Sequence, residues 1–198
     1  NIICALADAG EIAPYAALLQ KAGFTCLSVG LLPFGYAELA EKGKIAENSN
    51  TFGILHLAHE SCFLVLFEDK KLAFYRELPL SQKKLREALS TPLISEKGTI
   101  TLSDDDINEA LFTIGVPAEE TTFKETTVSS TQIFFMLRPH LERLVEEVRR
   151  SLSYYESQLA GGKIQTLFLA GLAAKIPNLT TFVKSELSLS VENIFLSS

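Results

Sequence analysis

Leu137, Leu141, Leu144, Val145, Val148, Leu152, Tyr155 and Leu159 follow one another at steps of three and four. At 3.6 residues per turn they form one continuous apolar stripe, and a helix that carries such a stripe must be buried along its length. Pro139 is tolerable in a first turn, where its missing N–H costs little, so the spacing predicts a helix from about Arg138 to Leu159. Glu142, Glu146, Arg149 and Arg150 fall on its other faces as a solvated surface, and Gly161-Gly162 would stop it. The remainder of the chain has to supply what this helix lies on.

That surface reads as a sheet. Phe52 to His59, Ser61 to Phe67 and Leu72 to Leu78 are three strand-like runs, with "EDKK" as a tight solvated turn between the last two, which makes a meander. After the long helix, Ile164 to Leu169 is an apolar strand. An "AGLAA" turn, a helix opened by Pro177 through Phe182 and Leu187, and a last strand from Val191 to Leu196 follow. An antiparallel meander joined to parallel strands through crossover helices is a mixed α/β sheet. Between the two parts, Leu80 to Leu89 reads as a short helix and "STPLISEKGT" as a loop or small hairpin. Ser103 reads as the N-cap of a helix that starts at Asp104, Asp105 and Asp106 and ends at Gly115 and Pro117. The Thr- and Ser-rich stretch from Thr121 to Thr131 reads as flexible. Ahead of the meander, Asn1 to Leu6 and Thr25 to Val29 look like strands. Ile12, Tyr15, Ala16, Leu19 and Ala22 repeat as a helix up to Gly23, and Pro33 opens another through Tyr36 and Leu39 to about Gly43. The polar "EKGKIAENSN" then looks like a surface connection, with a lobe boundary near Asn48.

Composition narrows the function classes. With 198 residues and 47% hydrophobic content the chain can bury one sizeable core or two small lobes. A net charge of -6 and a pI near 5.2 disfavour a nucleic-acid partner, which would demand a basic stripe. Cys4, Cys26 and Cys62 are widely spaced in apolar surroundings, as expected of buried free thiols in a reducing compartment. The apolar run Asn1 to Ala7 is too short to span a bilayer. Because the chain begins without Met and inside a strand-like run, we expect a piece whose N-terminal part is missing.

Three stretches resemble the type IV pilus assembly protein PilM family. "EIAPYAALLQKAGFTCLSVGLLPFGYAELAE" is similar to the family segment in which a helix, "KAGF", a strand and an acid-Pro-Phe helix start lead out of the first domain. Here Leu32 stands in place of the acid, before Pro33 and Phe34. "FEDKKLAFYRELPLS" resembles the hairpin after the phosphate loop, its pattern kept from Phe74 to Pro79. "RPHLERLVEEVRRSLSYYESQLAGGKIQTLFLAGLAAKIPNLTTFV" resembles the family's long helix, strand and adenosine loop. The resemblance implies an actin-like, ribonuclease-H-type fold. Residues 1–48 would be the C-terminal part of a preceding SHS2-like or first-lobe α/β domain. Residues 49–198 would be the second actin-like lobe, with a divergent insertion around 84–132.

The same resemblance implies a nucleotide site, and there the sequence departs from the family. Actin-like ATPases use Asp-x-Gly-x-x-x-Thr in the second phosphate hairpin, the Asp organising Mg²⁺ and water and the Gly letting backbone N–H groups approach phosphate. Aligned on the flanking strands, this chain has His56, Leu57, Ala58, His59, Glu60, Ser61 and Cys62. An imidazole is no hard oxygen ligand, and Ala58 carries a Cβ where close approach is wanted. If Glu60 faced a triphosphate, like charges ~4 Å apart at an effective dielectric of ~20 would cost about 4 kcal/mol before screening. The family's Thr-Gly-Gly-Gly-Ala adenosine loop reads here as Ala170, Gly171, Leu172, Ala173 and Ala174, and Leu172 would either lie over the base or plug the cleft. His56, Ala58, His59, Glu60, Ser61, Gly171, Leu172 and Ala173 are therefore the positions of a degenerate site. A pseudo-ATPase without a cofactor is expected, or alternatively an actin-like ATPase that still binds ATP and Mg²⁺.

Other constellations carry competing readings. His56, His59 and Cys62 have zinc-compatible types, but strand positions three apart point to opposite faces. The triple Asp lacks the alternate acids and glycine of a calcium loop. Asn178-Leu179-Thr180 matches a glycosylation acceptor and equally a first helical turn. No nucleophile elbow, P-loop or metalloprotease helix is present. What remains is a cytoplasmic scaffold of a type IV pilus or type II secretion platform, as PilM and the cytoplasmic domain of GspL imply, or an ATPase of pilus or FtsA-like kind. The resemblance also implies a partner, the cytoplasmic tail of a PilN-like single-span inner-membrane protein. No direct membrane insertion is expected, and the protein would sit at the membrane through that partner.

Overall fold

The computed structural model describes residues 8–95, 98–117, 122–123 and 128–194. Its centre is a five-stranded mixed sheet made of β1 (Phe52–Leu57), β2 (Cys62–Glu68), β3 (Lys71–Glu77), β8 (Thr166–Gly171) and β9 (Ser190–Asn193). The order across the sheet is β3-β2-β1-β8-β9, antiparallel through the meander and parallel from β1 to β8 to β9. Asp69 and Lys70 both adopt positive φ, the geometry of a tight two-residue hairpin, and this is the "EDKK" turn read from the sequence.

The strand sequences explain why both faces are covered. In "CFLVLF" every position is apolar, which suits a strand buried on both sides. Leu55, Leu57, Leu64, Leu66, Leu167 and Leu169 point into the larger core. Phe52, Ile54, Phe63, Val65, Phe67, Phe168 and Ala170 alternate with them into a second core on the opposite face. Phe52 anchors that second core, stacked on Phe67 at 4.8 Å and edge-on to Phe168 at 5.8 Å.

The larger core is closed by α5 (Ser130–Gln158) together with α3 (Gln82–Leu89), α4 (Asp104–Glu109) and α6 (Leu179–Leu187). The predicted stripe from Leu137 to Tyr155 is buried as expected. Two details differ. Leu159 lies beyond the last helical residue and is half-exposed, since the helix ends at Gln158 and Ala160 takes a positive φ before Gly161 is reached. The helix also starts two turns earlier than expected, because Ser129 and Gln132 form a reciprocal capping box and Ser130 and Ile133 extend the buried stripe. Pro139 therefore stands inside the helix rather than in its first turn. Of the stretch from Thr121 to Thr131 read as flexible, Thr121 and residues 124–127 lie outside the described residues, whereas Thr122–Phe123 (β6) and Val128–Ser129 (β7) pair and Ser130 and Thr131 already belong to α5.

The short elements between meander and long helix follow their sequence signals. Ser81 caps α3, Leu93–Ser95 (β4) pairs with Gly98–Ile100 (β5) as a hairpin, and Ser103 caps α4 in a capping box with Asp106. Asp104 pairs with Arg86, so the triple Asp opens a helix rather than forming a calcium loop. One π-turn over Ala110–Ile114 then ends at Gly115, whose φ of +60° and contact with Pro177, 2.4 Å from where a Cβ would sit, leave no room for another residue.

Toward the N-terminus, α1 (Ala9–Lys21) and α2 (Leu32–Glu41) form where the apolar repeats placed them. The expected strand Asn1 to Leu6 lies outside the described residues. The expected strand Thr25 to Val29 is not one: it is exposed, and no described strand pairs with it, so β propensity has no ladder to complete. "EKGKIAENSN" is only partly a surface connection, because Ile45 and Ala46 are buried with Tyr36 and Ala40 of α2 in the second core. The thiols also divide. Cys62 is buried and its pKa pushed up to about 12 by desolvation, Cys26 is exposed against expectation, and Cys4 lies outside the described residues.

Candidate functional site

The parallel pairing of β1 with β8 sets His56 beside Ala170 and Leu57 beside Gly171. The turn 58–61 and the loop 171–174, far apart in sequence, thus emerge side by side at the carboxyl ends of parallel strands. Open α/β sheets bind their ligands at such ends. All eight positions singled out in the sequence belong to this one corner of the sheet.

Backbone hydrogen bonds hold the corner together. Ala58 N–H donates to Ser61 O at 2.7 Å, and Leu172 N–H donates to Leu57 O at 2.8 Å. Gln82 N–H donates to Ala58 O and Lys83 N–H to His59 O, so the start of α3 backs the turn. The N–H groups of Ala58 and Leu172 are thereby spent inside the protein and cannot cradle an anion. Gly171 keeps the one glycine role that survives in its loop. At φ +66° a Cβ there would come within 2.6 Å of Leu57 O and 2.7 Å of His56 Cε1.

His56 does not face outward as a ligand would. Its ring stacks on Phe63 at 4.8 Å with planes 17° apart, and its Nδ1 is 2.7 Å from the hydroxyl of Tyr36 on α2. Burial lowers the His56 pKa and raises that of Tyr36 to about 12. Both groups are therefore neutral near pH 7; Tyr36 O–H donates to Nδ1 when the ring proton is on Nε2, and its oxygen accepts from Nδ1–H in the other tautomer. His59, exposed, donates to Gln82 Oε1 at 2.8 Å, while Cys62 sits in the larger core on the opposite face from His56. The three zinc-compatible residues thus do not converge, and among the described residues no three His, Cys, Asp or Glu side chains could hold a metal ion.

Glu60 and Ser61 are exposed at the tip of the turn. The Leu172 side chain is half-buried and packs against the larger core. Ala173 and Ala174 are buried in a short 3-10 turn. As a donor set the corner offers one exposed carboxylate and no buried oxygen ligand, which does not fit a magnesium-bound triphosphate. Two cavities, of about 360 Å³ and about 450 Å³, lie elsewhere: one between α3 and α5, the other beside β3 and the end of α5. Tyr36 and Gln82 are the site residues that sequence reasoning missed. Tyr36 was visible only as an apolar position of α2, although a buried tyrosine always needs a partner for its hydroxyl.

Residues 107–197 match the family model described as type IV pilus assembly protein PilM. Among solved structures, a PilM-PilN type IV pilus biogenesis complex is 25% identical, with a TM-score of 0.68, over 92% of this chain and 47% of that one. The chain thus spans about half the length of that relative. The ethanolamine utilization protein EutJ from Carboxydothermus hydrogenoformans is 13% identical with a TM-score of 0.63, over 95% of this chain and 57% of that one. MreB5 of Spiroplasma citri bound to AMPPNP is 15% identical with a TM-score of 0.70, over 94% and 60%. At these identities the last two show the fold alone. No curated protein matches the sequence. The actin-like α/β fold and the PilM resemblance expected from the sequence are both borne out, the latter through its C-terminal part.

Proposed function

We propose that this chain is the C-terminal part of a PilM-like scaffold of a type IV pilus or type II secretion platform, and that its nucleotide site is degenerate. The hydrogen bond between Tyr36 and His56 carries the second half of this reading. Where the family pattern has an acid that organises Mg²⁺, this chain has a neutral imidazole tied to α2 and stacked on Phe63. The pilus half is supported by the family match over residues 107–197 and by the likeness to the PilM-PilN complex. A working ATPase is the alternative outcome. Titration of ATP with Mg²⁺, followed by thermal shift, separates them, because a ligand that binds the folded state must raise its apparent stability. We expect no shift for this chain, and none for the double variant His56→Asp, Ala58→Gly. Saturable micromolar binding by the unaltered chain would overturn the pseudo-ATPase reading.

In this proposal the partner is the short cytoplasmic tail of a single-span, PilN-like membrane protein. It would be held as an extended peptide, with backbone hydrogen bonds giving affinity and apolar pockets giving register. No helix among the described residues is long and apolar enough to cross a membrane, so recruitment through a partner is the economical route to the inner membrane. Residues 1–47 would contribute at most one wall of that groove. Fluorescence anisotropy of a labelled tail peptide should then show weaker binding to this chain than to a full-length protein. Equal affinity would move the binding surface onto residues 49–198.

A further inference from the structure

The cavity between α3 and α5 is chemically unlike the rest of this acidic molecule. It has a volume of about 360 Å³, with a floor of Leu80, Ala88 and Leu144. Lys84 from α3 and His140 and Arg143 from α5 line its walls, and Glu87 is the one carboxylate among the lining residues. Residues three or four apart share a helix face, so Lys84 with Glu87 and Ala88, and His140 with Arg143 and Leu144, present these groups together to the same space.

Arg143 is the informative member. Arg76, Arg86, Arg138, Arg149 and Arg150 each reach a carboxylate within the chain, whereas Arg143 has no ion pair or hydrogen bond among the described residues. Its guanidinium keeps five donors in a rigid fork that matches a carboxylate bidentately. His140 has no partner either, and Lys84 spends a single donor on Pro79 O at 3.1 Å. An apolar floor beneath an unpaired arginine is the arrangement that anchors a side chain and fixes the charged group beside it.

We propose that this cavity binds a short acidic peptide segment of a partner protein, an apolar side chain seated on Leu80, Ala88 and Leu144 and the adjacent carboxylate held by Arg143. No residue of the 58–61 or 171–174 loops lines this cavity, and the inference stands whether or not those loops bind nucleotide. The test is an NMR titration of the 198-residue chain, following the Arg143 Nε–H and Leu144 methyl signals. The probes are N-acetyl-leucyl-glutamate with its C-terminus amidated, so that the side chain is its only carboxylate, the equally amidated glutamine analogue, and inorganic phosphate. The glutamate probe should give saturable shifts and the glutamine analogue none that saturate. Arg143→Gln, an exposed change that leaves the fold intact, should weaken binding about tenfold or more, as expected for loss of a charged hydrogen bond. Glu87→Gln should tighten it by removing the opposing charge. Absence of saturation, equal response to the glutamine analogue, or phosphate shifting the same signals as strongly as the dipeptide would overturn the assignment, the last by making this a free-anion site.

Discussion

Tyr36 and His56 meet through a single neutral hydrogen bond, and both ends of it are testable. Tyr36→Phe removes the hydroxyl and leaves Nδ1 half-buried without this partner, so stability should fall by about 1 kcal/mol in urea denaturation. The pH dependence has a definite sign. Burial holds the folded His56 pKa below its ordinary 6.5, so once the pH drops below about 6.5 the unfolded chain takes up a proton before the folded one does. The stabilising term is fully present above that pH and is lost as the pH falls toward the folded value. His56→Gln should therefore flatten the decline in stability between about pH 7 and about pH 5, and an unchanged profile would show that the ring titrates normally. Gly171 offers a sharper test. Gly171→Ala combines positive φ with a backbone collision at Leu57 O, and a loss of about 1–3 kcal/mol is expected, with local shifts confined to His56 and Leu57 in an NMR comparison.

Among the elements, α5 is the one whose burial the sequence specified most completely. Leu137 is 1% exposed and Leu159 is 49% exposed, although both belong to the same periodic stripe. Leu137→Ala should cost about 2–5 kcal/mol through lost burial and a residual cavity, while Leu159→Ala should stay within about 0.5 kcal/mol of the parent. Equal effects at the two positions would contradict the observed helix end. The start of α5 was harder to read, because periodicity places Pro139 in a first turn while Ser129 and Gln132 cap the helix two turns earlier. A capping box is a local signal that competes with a proline rule. Here the burial of Ser130 and Ile133 tips the balance toward the longer helix.

For the whole molecule, the second face of the sheet decides what must stay together. Phe52, Phe63, Val65, Phe67 and Phe168 are covered by Tyr36, Ala40, Ile45 and Ala46, all of which precede the proposed division at residue 48. A chain shortened to 49–198 would expose that aromatic face to water. It should bind more hydrophobic dye and self-associate more strongly in size-exclusion chromatography than the full chain, which already exposes Tyr15, Leu18, Phe24 and Leu27. If 49–198 remains monomeric and as stable as the parent, α2 is dispensable to the lobe and the division at 48 stands as a true structural boundary.

The order of strands and helices was legible in the sequence, since the all-apolar "CFLVLF", the two-residue turn at Asp69-Lys70 and the stripe from Leu137 to Tyr155 each state a local period, and a period is a property of neighbours along the chain. So was the departure of the two loops from a phosphate-binding pattern, because that rests on residue types at fixed spacings. Three things needed the tertiary structure. Thr25 to Val29 has strand-forming residues and no partner strand, Ile45 and Ala46 sit in a polar run and are buried, and His56 is bonded to a tyrosine twenty positions away. Each depends on which surface is nearby in space, and no window along the sequence contains that information: propensity and pattern fix what a segment can be, and the contacts made on folding fix what it becomes.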